Sequence, residues 1–95
     1  MITLVVTRHK ALLQYLKEIG IVGEEVEAKE HVSPEEIRGK HVCGVLPHHL
    51  SSLCTFYTEI PLIIPQEFRG KELTLEEIRE YCGKPQTYCV VPIEE

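Results

Sequence analysis

The sequence predicts an α/β fold with a mostly parallel sheet. Apolar segments rich in β-branched residues alternate along the chain with segments of helical periodicity, and this alternation is typical of βαβ units. The first apolar segment, residues 2–7, is almost continuous, as expected of a strand covered on both faces. Helix start and stop signals separate the segments. We therefore expect five strands and about three helices in a single domain, residues 1–95.

The chain begins with a predicted strand and a predicted amphipathic helix. Residues 2–7 form the strand, and residues 10–19 form the helix, in which Leu12 and Leu16 share one face. Gly20 follows directly and is expected to end the helix in the left-handed conformation that glycine tolerates.

Two further strands are predicted before the middle of the chain. Residues 24–32 alternate weakly between apolar and charged side chains, as expected of a half-exposed strand at a sheet edge. Ser33 and Glu36 then form a capping box that starts a single helical turn. Residues 41–46 form a buried strand in which Gly44 permits close approach of a neighbouring backbone.

The second half continues the same alternation. Pro47 is placed to start a second helix, whose periodic apolar residues are Leu50, Leu53, Cys54 and Tyr57. A short strand follows at residues 59–64. Thr74 opens the third helix with another capping box, Gly83 ends it, and residues 87–93 form the last strand.

These elements indicate a compact Rossmann-like sandwich of three layers, with helices on both faces of the sheet. The sequence does not determine the order of the strands. If the first and third strands are neighbours whose helices lie on opposite faces, a crevice forms at their carboxyl ends, where such sheets bind ligands.

Composition excludes several classes of protein. The net charge of −5 argues against a protein that binds long nucleic acids, and no apolar segment has the roughly 20 residues of a membrane helix. No basic region precedes the first apolar segment, so we expect no secretory signal and a cytoplasmic protein. All fifteen acidic residues are glutamates, which lowers the expectation of a carboxylate-bound metal, and we expect no cofactor. A core this small favours a homodimer.

The four cysteines, at positions 43, 54, 82 and 89, contain no C-x-x-C pair, so a structural zinc site is not expected. Cys43 and Cys89 lie in strand patterns, and Cys54 and Cys82 lie on apolar helix faces. We expect all four to be buried free thiols, with a disulfide as the alternative.

Three groups of polar residues follow predicted strands and are expected to meet at one rim of the sheet. The first group is Thr7, Arg8, His9 and Lys10, the second is Pro47, His48, His49 and Ser51, and the third is Arg69 and Lys71. Basic side chains beside helix N-termini predict an anion site, and phosphate is the obvious anion class. A structural alternative exists for each residue: Arg69, for example, has Glu72 as an ion-pair partner. Two other histidines, His31 and His41, are expected to be structural.

Three of these segments together resemble a known family. The segments are Val5-Val6-Thr7-Arg8-His9, then Gly44-Val45-Leu46-Pro47, then Pro65 followed by Phe68-Arg69-Gly70-Lys71-Glu72-Leu73. They resemble a small CRISPR-associated family of about 100 residues that accompanies type III CRISPR systems and is related to CARF (CRISPR-associated Rossmann fold) sensor domains. The family motif often has Gly-Ala soon after the histidine, where this chain has Lys10-Ala11.

The resemblance implies a dimeric CARF-like domain that binds cyclic oligoadenylate, with the four-nucleotide ring as the first expectation. It implies a ring nuclease, which cleaves this second messenger to linear products with a 2′,3′-cyclic phosphate and switches off type III CRISPR signalling. Carried over by position, Arg8, His9 and Arg69 are the catalytic residues, and Pro47 shapes the second group. The RNA supplies its own nucleophile, the 2′-hydroxyl, so a metal-independent phosphodiesterase mechanism is expected.

Two alternatives remain at this stage. The first is a non-catalytic protein that binds the same cyclic oligoadenylate as a sponge or sensor, because both functions need the same anion site. The second is a histidine phosphatase, in which an apolar strand also leads into Arg-His. That motif continues with glycine, whereas this chain continues with Lys10.

Overall fold

A computed structural model describes residues 1–94 and contains one five-stranded sheet. The strands are β1 (Leu4–Val6), β2 (Glu27–Lys29), β3 (His41–Gly44), β4 (Phe56–Glu59) and β5 (Gln86–Tyr88). The helices are α1 (Lys10–Glu18), α2 (Pro34–Ile37), α3 (His48–Ser51) and α4 (Leu75–Tyr81), with a 3-10 turn at Gln66–Phe68. The described chain thus has four helices rather than about three, because the single turn after Ser33 is a helix of its own.

The order of the strands is β2-β1-β3-β4-β5. Strands β1 to β4 are parallel, and β5 pairs with β4 in the antiparallel direction. The predicted mostly parallel sheet is therefore confirmed, and β2 lies at an edge as its weak alternation indicated. This order is that of flavodoxin-like doubly wound sheets, whose switch point lies between β1 and β3.

Helices α1 and α4 cover one face of the sheet. Leu12 and Leu16 of α1 and Ile78 of α4 are buried in one cluster with Val5 and Cys43 from the sheet. The two helices are also joined by an ion pair between Arg79 and Glu18, in which the guanidinium Nε donates to a carboxylate oxygen at 2.9 Å.

The short helices α2 and α3 lie on the opposite face. Ile37 of α2 packs with Leu4, Val6 and Val42 in a second buried cluster, and Leu50 of α3 packs against it. All three residues of β1 are buried, with Val5 on one face and its two neighbours on the other. This confirms the prediction of a three-layer sandwich around a strand covered on both faces.

The predicted continuation of the second helix to Tyr57 is wrong. Helix α3 ends at Ser51, and Tyr57 lies in β4. The predicted fourth strand at residues 59–64 is also misplaced, since β4 ends at Glu59. Tyr57 meets the helical spacing because it is apolar and buried, but it belongs to the sheet, where it pairs with Val42. Its hydroxyl makes hydrogen bonds with Gly44 at the end of β3 and with Leu46 in the loop after it.

The last strand is also shorter than predicted. It covers Gln86–Tyr88 rather than residues 87–93, and Val91 and Ile93 are exposed. Apolar composition predicted a buried strand, but β4 begins at Phe56 and its pairing with β5 ends at Tyr57 opposite Tyr88, so residues 89–93 run past the start of β4.

All four cysteines are free, as expected, but they are not all buried. Cys43 and Cys54 are buried, Cys82 is partly buried at the end of α4, and Cys89 is exposed beyond β5. Cys54 follows α3 instead of lying on a helix face. Burial raises the pKa of the Cys43 thiol to about 12, so this thiol stays protonated and acts as a small apolar side chain.

Both predicted capping boxes are formed. Thr74 accepts a hydrogen bond from the amide of Glu77 at 3.2 Å, and the Glu77 carboxylate accepts from the amide of Thr74 at 2.9 Å. At the earlier box, Glu36 accepts from the amide of Ser33 at 3.2 Å. Among residues 1–94, no helix combines the length and apolar character required to cross a membrane.

Candidate functional site

A cavity of about 430 Å³ lies at the carboxyl ends of β1, β2 and β3. Its lining comes from the end of β1, three loops and one helix: Val6, Thr7, Arg8, His9, Glu30, His31, Val32, Val45, Leu46, Pro47 and Leu50. Strands β1 and β3 are neighbours, and their following helices α1 and α3 lie on opposite faces. The cavity is therefore the switch-point crevice that the sequence allowed, and we call it the crevice below.

The first wall of the crevice is the turn Thr7-Arg8-His9. The Thr7 amide extends the sheet by donating to the carbonyl of Lys29 at 3.0 Å. The Thr7 hydroxyl then accepts a hydrogen bond from the amide of His9 at 3.1 Å. These two bonds hold a tight turn with Arg8 exposed at its apex. Arg8 makes no ion pair with any residue of 1–94, so its guanidinium is available to a ligand.

The same turn leads into the N-terminus of α1. His9 is the N-cap residue, but its side chain makes no capping hydrogen bond, and the first turn contains no acidic residue. Within residues 1–94, the amides of Lys10 and Ala11 donate to no acceptor. A helix of nine residues thus presents free N–H groups and its positive dipole end beside Arg8, which favours an anion.

The second wall of the crevice is the loop after β3, residues 45–47, and Tyr57 holds it in place. Its hydroxyl donates to the carbonyl of Gly44 at 2.7 Å and accepts from the amide of Leu46 at 2.9 Å. Burial raises the pKa of this phenol, so the donated proton is retained. The wall itself is apolar, with Val45 71% exposed and Pro47 exposed next to it. This arrangement suits contact with a flat apolar ring such as a nucleobase.

The other residues predicted in the second group lie outside the crevice. His48 and His49 are exposed in the first turn of α3 and do not line it. Ser51 is fully buried, and its hydroxyl donates to the carbonyl of His48 at 3.3 Å. Of the second group, the structure therefore brings Pro47 alone into contact with the crevice.

The third group also lies apart from the crevice within one chain. Arg69 and Lys71 follow the 3-10 turn, are exposed, and line neither the crevice nor the cavity beside it. The suggested pairing of Arg69 with Glu72 is not formed, and Arg69 has no ion pair with residues 1–94. The neighbouring Phe68 packs against Tyr81 of α4 with ring centroids 5.7 Å apart, which holds this loop toward that helix.

The sequence did not indicate the third wall, which is formed by Glu30, His31 and Val32. These residues follow β2, whose observed end is Lys29 rather than residue 32. His31 was expected to be structural, but it is exposed and lines the crevice. No local signal places His31 here, because its position depends on the parallel pairing of β2 with β1, which the sequence does not determine.

A smaller cavity of about 150 Å³ adjoins the crevice on the α1 side of the turn. Thr7, Arg8 and His9 line both cavities, and Lys10 and Lys29 line the smaller one. Lys29 is held by Glu36 and Glu27. The basic side of the site therefore extends from the crevice along the start of α1, as the predicted placement of Lys10 indicated.

The crevice has a cation on one side, where it adjoins the free amides at the start of α1, and an apolar wall on the other. This combination is suited to a ligand that carries both phosphate and a nucleobase. No group of three or more histidine, cysteine or glutamate side chains in residues 1–94 is placed to hold a metal ion together.

The fold and the crevice define a class: a doubly wound α/β protein whose candidate ligand site is its β1/β3 switch point. A family model described as "Putative CRISPR-associated protein (Cas_VVA1548)" matches residues 4–91. The chain therefore belongs to this CRISPR-associated family. Comparison with curated proteins gave no match, and comparison with solved structures gave none either.

Proposed function

We propose that this protein is a ring nuclease that binds a cyclic oligoadenylate, first of all cyclic tetra-adenylate, and cleaves it. The observation that carries the proposal is the crevice with its adjoining cavity. Arg8 lines both, the start of α1 with its free amides lies on the side of the adjoining cavity, and an apolar wall lies on the other side of the crevice. A cyclic oligoadenylate offers phosphates to the first side and adenines to the second. Membership of a CRISPR-associated family supports a ligand of this kind.

In the proposed reaction, the 2′-hydroxyl of one ribose attacks the adjacent phosphorus, and the bond from phosphorus to the 5′-oxygen breaks. The products are linear adenylates that end in a 2′,3′-cyclic phosphate. Arg8 stabilises the negative charge that develops on the phosphate oxygens. His9, which lines the crevice beside Arg8, transfers a proton. The family resemblance also implies Arg69 as a member of this set, and Arg69 lies outside the crevice of its own chain.

Incubation of labelled cyclic tetra-adenylate with the protein, with and without EDTA, tests the proposal. We expect linear products with a 2′,3′-cyclic phosphate at equal rates in both samples, because the 2′-hydroxyl is the nucleophile. A ring that is bound and recovered intact would instead support a sponge. A rate that is lost with EDTA and restored by Mg²⁺ or Mn²⁺ would contradict the metal-independent mechanism.

We also expect a homodimer with the ligand on its twofold axis. The chain has a small core, and a fourfold ring contains a twofold axis, so two copies of the crevice can contact two halves of one ring. Sedimentation with and without cyclic tetra-adenylate should give twice the chain mass of 10.9 kDa. A monomer under both conditions would rule out the shared site.

A further inference from the structure

We infer that His31 is the second proton-transfer residue of this site and works with His9 as an acid–base pair. The inference rests on the proposed function and deepens it, because that function requires two proton transfers and the proposal above supplies one group. In the described chain, His9 and His31 are the two of five histidines that line the crevice.

The backbone brings these two imidazoles to one cavity from different strands. His9 ends the turn after β1, and His31 follows β2. The hydrogen bond from the Thr7 amide to the Lys29 carbonyl joins these two strand ends at 3.0 Å, so the segments that follow emerge side by side. The next residue, Val32, packs against the second buried cluster, which contains Ile37 of α2. This contact holds the His31 segment at the crevice.

In the part of the chain that the structure describes, both imidazoles are unpaired and line the crevice, which holds for none of the other three histidines. Within residues 1–94, neither the His9 nor the His31 side chain makes a hydrogen bond or an ion pair. His41, in contrast, lies 2.7 Å from the Thr58 hydroxyl and packs against Phe56. The remaining pair, at positions 48 and 49, is outside the crevice.

The reaction needs two proton transfers at positions on either side of the phosphorus. One imidazole accepts the proton of the 2′-hydroxyl as the new bond from oxygen to phosphorus forms. The other donates a proton to the 5′-oxygen as its bond to phosphorus breaks, so the protons balance over one turnover. The charged groups that face this pair are Arg8 and Glu30 in the crevice, with Lys10 and Lys29 in the adjoining cavity.

The test compares wild type with His31→Ala and His31→Gln in single-turnover cleavage of cyclic tetra-adenylate at saturating protein. We expect both variants to bind the ring and to cleave it about 10²-fold more slowly, because glutamine keeps polar contacts but cannot transfer a proton at neutral pH. Added imidazole should restore part of the rate of the alanine variant. If His31→Gln cleaves the ring at the wild-type rate, His31 only contacts the ligand and the inference is overturned.

A ring in which sulfur replaces the bridging 5′-oxygen assigns the two roles. Sulfur leaves without protonation, so His31→Ala should cleave this ring at nearly the wild-type rate if His31 is the acid. If His31 is the base, the defect should persist, and His9→Ala should be the variant that recovers. Wild-type rate and pH profile in His31→Ala would overturn the inference but leave the ring nuclease standing. Absence of cleavage by the wild type would remove the proposed function itself.

Discussion

Replacing Gly44 with alanine should unfold most of the protein under conditions in which the wild type is stable. Gly44 has a φ of 150°, and a β-carbon there would lie 2.1 Å from the carbonyl oxygen of Val6. Strands β1 and β3 would have to separate at the floor of the crevice. We expect a loss of about 4 kcal/mol in the free energy of unfolding, which is exceptional for one substitution, and a melting temperature lower by about 20 °C.

Gly23→Ala is the matched control. No atom lies within 4 Å of a β-carbon added at Gly23, and its φ is outside the range that strains other residues. Thermal unfolding followed by circular dichroism should leave this variant close to the wild type. If the two alanine variants melt at similar temperatures, the close approach of Gly44 to Val6 does not hold β1 and β3 together as described.

Arg8→Ala should lower the single-turnover rate of ring cleavage by about 10²–10³-fold, the typical cost of one donor to a developing oxyanion. Ground-state affinity should fall less, because the free amides of α1 and the apolar wall remain. His9→Ala should slow cleavage by about 10²-fold or more. Its effect should change with pH, whereas the effect of Arg8→Ala should not, because guanidinium stays charged.

Cleavage at saturating protein, measured from about pH 5.5 to 9, separates these roles. Arg38→Ala is a matched control for the loss of an exposed arginine, since Arg38 pairs with Glu35 on α2 and does not line the crevice. If the Arg8→Ala variant cleaves at the wild-type rate once it is saturated, Arg8 contributes to binding and not to the chemical step. A large loss in Arg69→Ala would then make Arg69 the main group that stabilises the phosphorane.

Local signals were sufficient for much of the fold. The continuous apolar segment at the start of the chain, the capping boxes at Ser33 and Thr74 and the glycine after α1 each act over a few residues. Such signals depend on neighbours in sequence, so they can be recognised there. Tyr57 shows where they fail: its spacing fits a helix, but a hydrogen bond to Gly44, thirteen residues away, is made from a strand.

The candidate site likewise has one part that the local sequence indicates and another that strand pairing decides. The sequence by itself determined that Thr7, Arg8 and His9 follow a buried strand and precede a helix, and therefore that a cation lies beside free amides. The tertiary structure alone decided which other segments join them. Parallel pairing of β1 with both β2 and β3 brings His31 and Pro47 to the crevice, while the packing of Phe68 on α4 holds the Arg69 loop elsewhere. These choices depend on strand order, which is set by how the two apolar faces of the sheet are buried and not by any local spacing of residues.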